Sequence, residues 1–173
     1  MARKPSLKVP DDCSCYVEGD ERCRCCGASL VMPVSTLTRG LVGILVACAN
    51  EGRRKRTYII DTADVNLSHS QLNNLQKLRH FGLMVKHMDG DHQVPRHWVI
   101  TTRGWEFLAG EVRVFKNMRS FRNRIVHWSE EEANDIPMVS ISDVLGDKDD
   151  PYWLQKSDYA GWREFANPQE RLF

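Results

Sequence analysis

The sequence predicts an α+β fold, because one chain of 173 residues combines helical periodicity with strand-like alternation. Three segments with apolar residues at helical spacing begin near Ser35, Ser68 and Thr102. Two β-like runs, 83–88 and 97–101, flank an Asp-Gly turn signal and predict a β-hairpin. A chain of this length corresponds to one domain, or to a small domain with appendages.

The chain begins with residues 1–12, which carry two prolines and several basic side chains and are expected to form a flexible arm. No apolar stretch typical of a secretory signal follows, so we expect a cytoplasmic protein. No run approaches the roughly 18 apolar residues of a membrane span, and we therefore expect no membrane partner.

The next segment, residues 13–34, is dominated by cysteine. It holds five of the six cysteines of the chain, namely Cys13, Cys15, Cys23, Cys25 and Cys26. A disulfide framework needs an oxidising compartment, so bound metal explains the cluster better in a cytoplasmic protein. The sixth cysteine, Cys48, lies in an apolar stretch and is expected in the core.

Zinc is the metal that this cluster predicts, because four thiolates suit its tetrahedral geometry. Cys23 and Cys26 have the Cys-Xaa-Xaa-Cys spacing and resemble a zinc-ribbon knuckle. Cys13 and Cys15 complete the predicted set, with Cys25 as an alternate ligand. A cysteine-only cluster favours a closed, structural Zn²⁺ site that stabilises a segment too small for its own core. Free or redox-active thiols are the alternative.

The first helix is predicted to start at Ser35 or Thr36, either of which could cap it, and to end at 50–52. Its apolar positions at helical spacing are Leu37, Leu41, Ile44, Leu45 and Cys48. A basic run follows at 53–56. The segment after it, 58–60, fits either a short strand or the start of another helix.

The second helix is predicted to begin after Ser68, whose hydroxyl can form a capping box with Gln71. Its apolar stripe consists of Leu72, Leu75 and Leu78. Gly82 then supplies a left-handed stop before the β-hairpin. Thr102 is expected to cap a third helix that ends near Gly110. The apolar residues of that helix are Trp105, Phe107 and Leu108.

This order of elements within residues 35–110 resembles a winged helix-turn-helix domain, particularly of the MarR-like kind. The likeness is carried by residues 67–84, with the polar helix and its Phe-Gly-Leu ending, and by residues 98–105. In that family the polar helix enters the DNA major groove, and the Gly-Leu step leads into the wing. A Thr-Xaa-Xaa-Gly turn, here 101–104, begins the next helix.

The resemblance implies contacts with double-stranded DNA. The predicted base readers on the polar face of the second helix are His69, Ser70, Asn73, Asn74 and Lys77. Asn side chains can bond an adenine edge, and Lys can reach guanine or phosphate. The predicted phosphate contacts are Arg53, Arg54, Lys55, Arg56 and, in the wing, Arg96. For the helix face and the basic run, the alternative is an ordinary solvated surface.

Charge divides the chain into two parts. Residues 1–129 contain 20 Lys/Arg and 12 Asp/Glu, a balance of +8, whereas residues 130–173 contain 4 and 11, a balance of −7. A basic body joined to an acidic tail suggests a polyanionic partner, with the tail as a solubilising appendage or an internal competitor. The predicted wing tip is also acidic, because Asp89 and Asp91 flank Gly90 and would repel phosphate.

Residues 111–129 are basic and aromatic, and a turn at 122–124 predicts a β-hairpin extension. Its aromatic residues either stack on nucleic acid or, as we expect, pack on the preceding domain.

We therefore expect a DNA-binding protein, most simply a transcriptional regulator with a winged-helix core, an N-terminal zinc knuckle and a C-terminal β-hairpin extension. The alternative is an adaptor in which the winged helix and the knuckle dock on a larger assembly. No HExxH motif, P-loop, Gly-rich dinucleotide turn or nucleophile elbow accompanies the scattered histidines, so we expect no enzyme. The sequence does not decide between a monomer and a homodimer.

Overall fold

The computed structural model describes Arg22, residues 33–121 and residues 124–146. Within these residues the protein is a mixed α+β structure with five α-helices and three small antiparallel sheets. The fold class predicted from the sequence is thus confirmed at the level of α+β. The predicted arm (residues 1–12), the clustered cysteines and residues 147–173 lie outside the described residues.

The first elements are strand β1 (Val34–Thr36) and helix α1 (Arg39–Lys55). Thr38 caps α1, because its side chain accepts a hydrogen bond from the Leu41 amide at 3.4 Å. The predicted caps, Ser35 and Thr36, were wrong, since these residues pair with Met118 and Asn117 in a sheet.

Helix α1 also continues past its predicted end at 50–52. The Gly52 carbonyl accepts a hydrogen bond from Thr57 at 3.0 Å, and the helix closes only at Arg56, in the left-handed region at φ 53°. Basic side chains in the last turn interact favourably with the helix dipole, which gives a physical reason for the extension. The buried side of α1 contains Leu41, Val42, Ile44, Leu45, Val46, Cys48 and Ala49.

Strand β2 (Ile59–Asp61) resolves the alternative left open at 58–60 in favour of a strand. Helix α2 (His69–Leu75) follows a turn, and its predicted capping box is confirmed. The Ser68 amide donates to Gln71 Oε1 at 2.8 Å, and the Gln71 amide donates to Ser68 Oγ at 3.3 Å.

A 3₁₀ turn (Gln76–Arg79) extends α2, and Gly82 then takes the predicted left-handed conformation at φ 68°. Leu75 and Leu78 are buried as predicted, but Leu72 is 37% exposed. Leu72 and Leu75 lie three residues apart in the α-helix, so their directions differ by about 60° around the helix axis. Leu75 and Leu78 lie three residues apart across the 3₁₀ turn, where such residues point in the same direction. The prediction of one continuous leucine stripe was therefore wrong at Leu72.

The predicted β-hairpin is confirmed as strands β3 (Met84–Asp89) and β4 (His92–Ile100), with Gly90 in its turn at φ 58°. Strand β4 is longer than predicted, and the sheet order is β2-β4-β3. Helix α3 (Thr102–Leu108) follows. Its cap is Thr101, whose hydroxyl accepts from the Gly104 amide at 2.9 Å, so the prediction of Thr102 as the cap was wrong.

The C-terminal extension forms β5 (Val114–Phe115), β6 (Asn117–Phe121) and β7 (Arg124–Val126). Strands β6 and β7 pair antiparallel, as the predicted hairpin requires, and β1 adds to β6 to give the order β1-β6-β7. Phe115 and Trp128 pack against the core, and the Trp128 indole donates to the Asn117 carbonyl at 3.0 Å. The expected packing of these aromatic residues is thus observed.

The start of the acidic segment is part of the folded body. It forms α4 (Glu130–Asp135), β8 (Met138–Val139) and α5 (Ile141–Leu145). Strand β8 pairs with β5, and the side chains of Val139, Ile141 and Leu145 are buried in the core. Residues 130–146 contain five Asp/Glu and no Lys/Arg, so −5 of the −7 lies in this folded part rather than in an appendage.

Candidate nucleic-acid interface

The polar face of α2 begins at its capped N-terminus. His69, Ser70, Asn73 and Lys77 are exposed, and Asn74 is partly buried. The Asn74 amide nitrogen donates to the Ser70 carbonyl at 3.0 Å, so its donor is engaged by its own helix. Asn73 is therefore the better placed of the two asparagines to contact a base edge.

The basic run predicted to contact phosphate lies at the C-terminal end of α1 and carries carboxylate partners. The Arg54 guanidinium donates two hydrogen bonds to Glu51, at 2.9 and 2.6 Å, and lowers the pKa of that carboxyl. The Lys55 ammonium contacts Glu51 at 3.3 Å and Asp64 at 2.5 Å. These carboxylates offset much of the positive charge that phosphate would require.

Arg96, the predicted phosphate contact in the wing, also has a carboxylate partner. It lies on β4 with φ 63°, and its guanidinium approaches the Asp61 carboxylate at 3.5 Å. Asp61 and Asp64 also line one cleft with Glu51 and Lys55, at the end of α1. This side of the molecule therefore mixes both signs of charge.

The predicted readers and the predicted phosphate run are also far apart. A cleft of about 600 Å³ has Leu41 and Ile44 of α1 on one side and Ser70 and Asn74 of α2 on the other, so α2 lies beside the N-terminal half of α1. Leu41 and Arg54 are separated by roughly 20 Å along the helix axis, at 1.5 Å per residue. The basic run and α2 thus do not form one surface.

Other cations lie beside α2 instead, and we call Lys77, Arg79, Lys86 and Arg103 the cation cluster. Burial lowers the pKa of His80, and the charges of Arg79 and Lys77 lower it further. Burial likewise lowers the pKa of Lys86, with a contribution from Arg79, which places these charges near one another. The aliphatic part of Arg103 lies 3.9 Å from the position that a Gly82 Cβ would take.

The cation cluster differs from the basic run in its lack of carboxylate partners. Within the part of the chain that the structure describes, none of its four members makes an ion pair; the Lys86 ammonium lies instead over the Trp98 ring, 4.0 Å from the centroid. A sequence signal could have indicated Arg79 and Lys86, because residues 65–88 contain no Asp or Glu. The exposed wing tip, Asp89 and Asp91, begins just beyond this stretch.

Two arginines of the hairpin extension, Arg113 and Arg119, are paired with carboxylates of the acidic segment. Arg119 forms a bidentate pair with Glu132 at 2.9 and 2.8 Å, and Arg113 contacts Asp143 at 3.2 Å. Arg119 also stacks on the Trp128 ring, 4.1 Å from its centroid. These two arginines therefore hold the extension to residues 130–146 and are less suited to bind phosphate.

The predicted metal ligands, Cys13, Cys15, Cys23 and Cys26, and the alternate Cys25 lie outside the described residues. Among residues 33–121 and 124–146, no group of three or more His, Cys, Asp or Glu side chains is arranged to hold a metal ion. Cys48 is buried, as expected of a core residue, and burial raises the pKa of its thiol to about 12.

Comparison with known proteins identifies no relative, because no family model, curated protein or solved structure matches the chain. In the described segments, no helix has the length and apolar character needed to cross a membrane.

Proposed function

We propose that this protein binds double-stranded DNA through the polar face of α2 and the adjoining cation cluster, and that it acts as a transcriptional regulator. The observation that carries the proposal is the cation cluster beside α2, whose four members make no ion pair with any residue that the structure describes. Unpaired cations release condensed counterions from DNA on binding, whereas cations already paired with carboxylates contribute little. Asn73 and Ser70 would contact bases, and Lys77, Arg79, Lys86 and Arg103 would contact phosphate.

The core that presents this surface is proposed to be a winged helix, with α2 as the recognition helix and β3–β4 as the wing. The order helix, strand, helix, hairpin, helix supports this assignment. One feature departs from the family pattern. Helix-turn-helix motifs join two helices by a turn of three or four residues, whereas β2 and a turn connect α1 to α2 here. Recognition would therefore depend on α2 and the cation cluster more than on a second DNA-facing helix.

The DNA proposal is tested by mobility shift with duplex DNA, single-stranded DNA and RNA at two salt concentrations, after selection of a preferred duplex from a random pool. Asn73→Ala is expected to cost about 1–3 kcal/mol on the preferred duplex, because a bidentate base contact is lost, and to leave random-duplex binding nearly intact. Asn74→Ala is the matched control and should cost less, since the Asn74 amide nitrogen already bonds the Ser70 carbonyl.

Equal losses of affinity for the preferred duplex in Asn73→Ala and Asn74→Ala would reject Asn73 as the asparagine that contacts a base. Tighter binding to RNA or single strands than to any duplex would reject double-stranded DNA as the ligand.

A structural Zn²⁺ bound by four of the clustered cysteines is part of the same proposal. Protein purified without a metal-affinity tag is expected to contain about one zinc per chain, because one tetrahedral site takes four thiolates. Cys23→Ser should lower the zinc content measured by metal analysis, whereas Cys48→Ser should not. Zinc-free protein, or equal zinc loss in both variants, would contradict the ligand assignment.

The second candidate function is that of a protein adaptor, and an apolar surface of the wing favours it. Val85 and Met88 on β3 are 38% and 46% exposed, close to the acidic wing tip. A chain that binds no nucleic acid, yet loses a protein partner on Val85→Asp, would move the assignment from regulator to adaptor.

A further inference from the structure

A third cleft lies next to the cation cluster, where the C-terminal hairpin meets the 3₁₀ turn and α3. Its volume is about 200 Å³. The residues that form its walls and rim are His80, Phe81, Gly82, Arg103, Phe115, Met118, Ile125, His127 and Trp128. The cleft is smaller than the 300–1,000 Å³ typical of sites for whole small molecules, and so suits a single ring.

The chemistry of the lining has two parts. The walls are apolar and aromatic, with Phe115 and Trp128 partly buried and Ile125 37% exposed. The rim carries the Arg103 guanidinium and two imidazoles, His80 and His127, and none of the described residues that line the cleft is Asp or Glu. Aromatic and apolar walls next to the Arg103 guanidinium are complementary to a nucleobase whose phosphate stays at the surface.

We propose that this cleft receives one unpaired nucleobase of the bound nucleic acid, at a single-stranded end next to the duplex. The inference rests on the proposed function, because the duplex held by α2 brings the strand end to the cleft. Arg103 belongs to both surfaces: it lines the cleft and lies beside Gly82, at the end of the 3₁₀ turn that carries Lys77 and Arg79. A phosphate at Arg103 would therefore connect the two.

The test compares one duplex with blunt ends and the same duplex with a short single-stranded overhang. The wild-type chain is expected to bind the overhang duplex roughly tenfold more tightly, since stacking of one base on aromatic side chains has about this effect. Ile125→Asp places a carboxylate at the cleft and should abolish the preference while blunt-duplex binding stays unchanged. Ile125→Val should retain the preference.

Val85→Asp is the matched control, because Val85 is 38% exposed, as much as Ile125, but lies on the wing outside the cleft. It should keep the overhang preference. His127→Ala, at an exposed rim position, provides a second cleft variant, and thermal unfolding of every variant checks that it is folded.

The outcomes separate the two proposals. Blunt-duplex binding with no overhang preference, or a preference that survives in both Ile125→Asp and His127→Ala, overturns the nucleobase cleft and leaves the DNA proposal intact. Failure to bind either duplex overturns both, and an aromatic side chain of a protein partner would then be the occupant to examine.

Discussion

Gly104→Ala is expected to destabilise the fold by about 3 kcal/mol or more, because overpacking that cannot relax by rotamer changes lies at the upper end of such substitutions. Gly104 is buried at the start of α3. A Cβ there would lie 2.2 Å from the Leu83 carbonyl oxygen and 2.8 Å from Ile100 Cγ2. The Leu83 carbonyl also accepts from the Thr101 amide at 3.1 Å, so it cannot move away without breaking the α3 cap region.

The matched control is Gly40→Ala in the first turn of α1. Among the described residues, a Cβ at Gly40 meets only Thr38 Oγ1, at an ordinary 3.9 Å. Alanine should be neutral or stabilising there, since it restricts the unfolded chain more than glycine does. Chemical denaturation of both variants makes the comparison. A Gly104→Ala chain as stable as Gly40→Ala would show that the start of α3 does not pack closely on Leu83 and Ile100.

Truncation after Ser129 is expected to unfold the body. It removes the buried side chains of Val139, Ile141 and Leu145 and leaves Arg119 without Glu132. Truncating one large buried side chain to alanine typically costs 2–5 kcal/mol, and the loss of three approaches the whole stability of a small domain, about 5–15 kcal/mol.

A chain that ends at Gly146 keeps all these contacts, so the difference between the two truncations isolates residues 130–146. Thermal unfolding followed by circular dichroism should show a cooperative transition for the longer chain and none for the shorter. Equal transitions in both would contradict the packing of α5 on the body. Competition between the acidic tail and DNA is therefore tested only with the chain that ends at Gly146.

Much of the fold could be predicted because local signals agreed with tertiary packing. The capping box at Ser68, the Asp-Gly turn at Gly90 and the left-handed Gly82 are each determined by a few neighbouring residues. The cap of α1 could not be predicted in this way. Ser35 and Thr36 are good capping residues, but they pair with β6, more than 80 residues away in sequence, and a long-range pairing leaves no local signal.

The packing of residues 130–146 into the folded body could not be predicted from the sequence for a similar reason. Its composition indicates a solvated tail, yet Ile141 and Leu145 fill a space against α1 that only the folded chain creates. Its carboxylates also form ion pairs with Arg113 and Arg119. Composition alone would assign these two arginines to nucleic-acid binding.

The candidate interface was predictable in part. The exposed polar face of α2 follows from helical periodicity, and four of its five predicted readers are exposed. The basic run was the more conspicuous cationic feature of the sequence, but its pairing with Glu51 and Asp64 depends on how the end of α1 meets the turn after β2. Arg79 and Lys86 were less conspicuous, although the carboxylate-free stretch around them is visible in the sequence.

The salt dependence of duplex affinity in two double variants tests the central claim most directly. Lys77→Ala with Arg79→Ala is expected to weaken binding to every duplex and to reduce the slope of log K against log salt by about 2, since each phosphate contact contributes roughly 0.9. Arg54→Ala with Lys55→Ala, which removes equal formal charge, should leave affinity and slope nearly unchanged, because Glu51 and Asp64 already pair with those cations. A slope that falls only in the Arg54 and Lys55 variant would contradict the placement of the interface at α2 and the cation cluster.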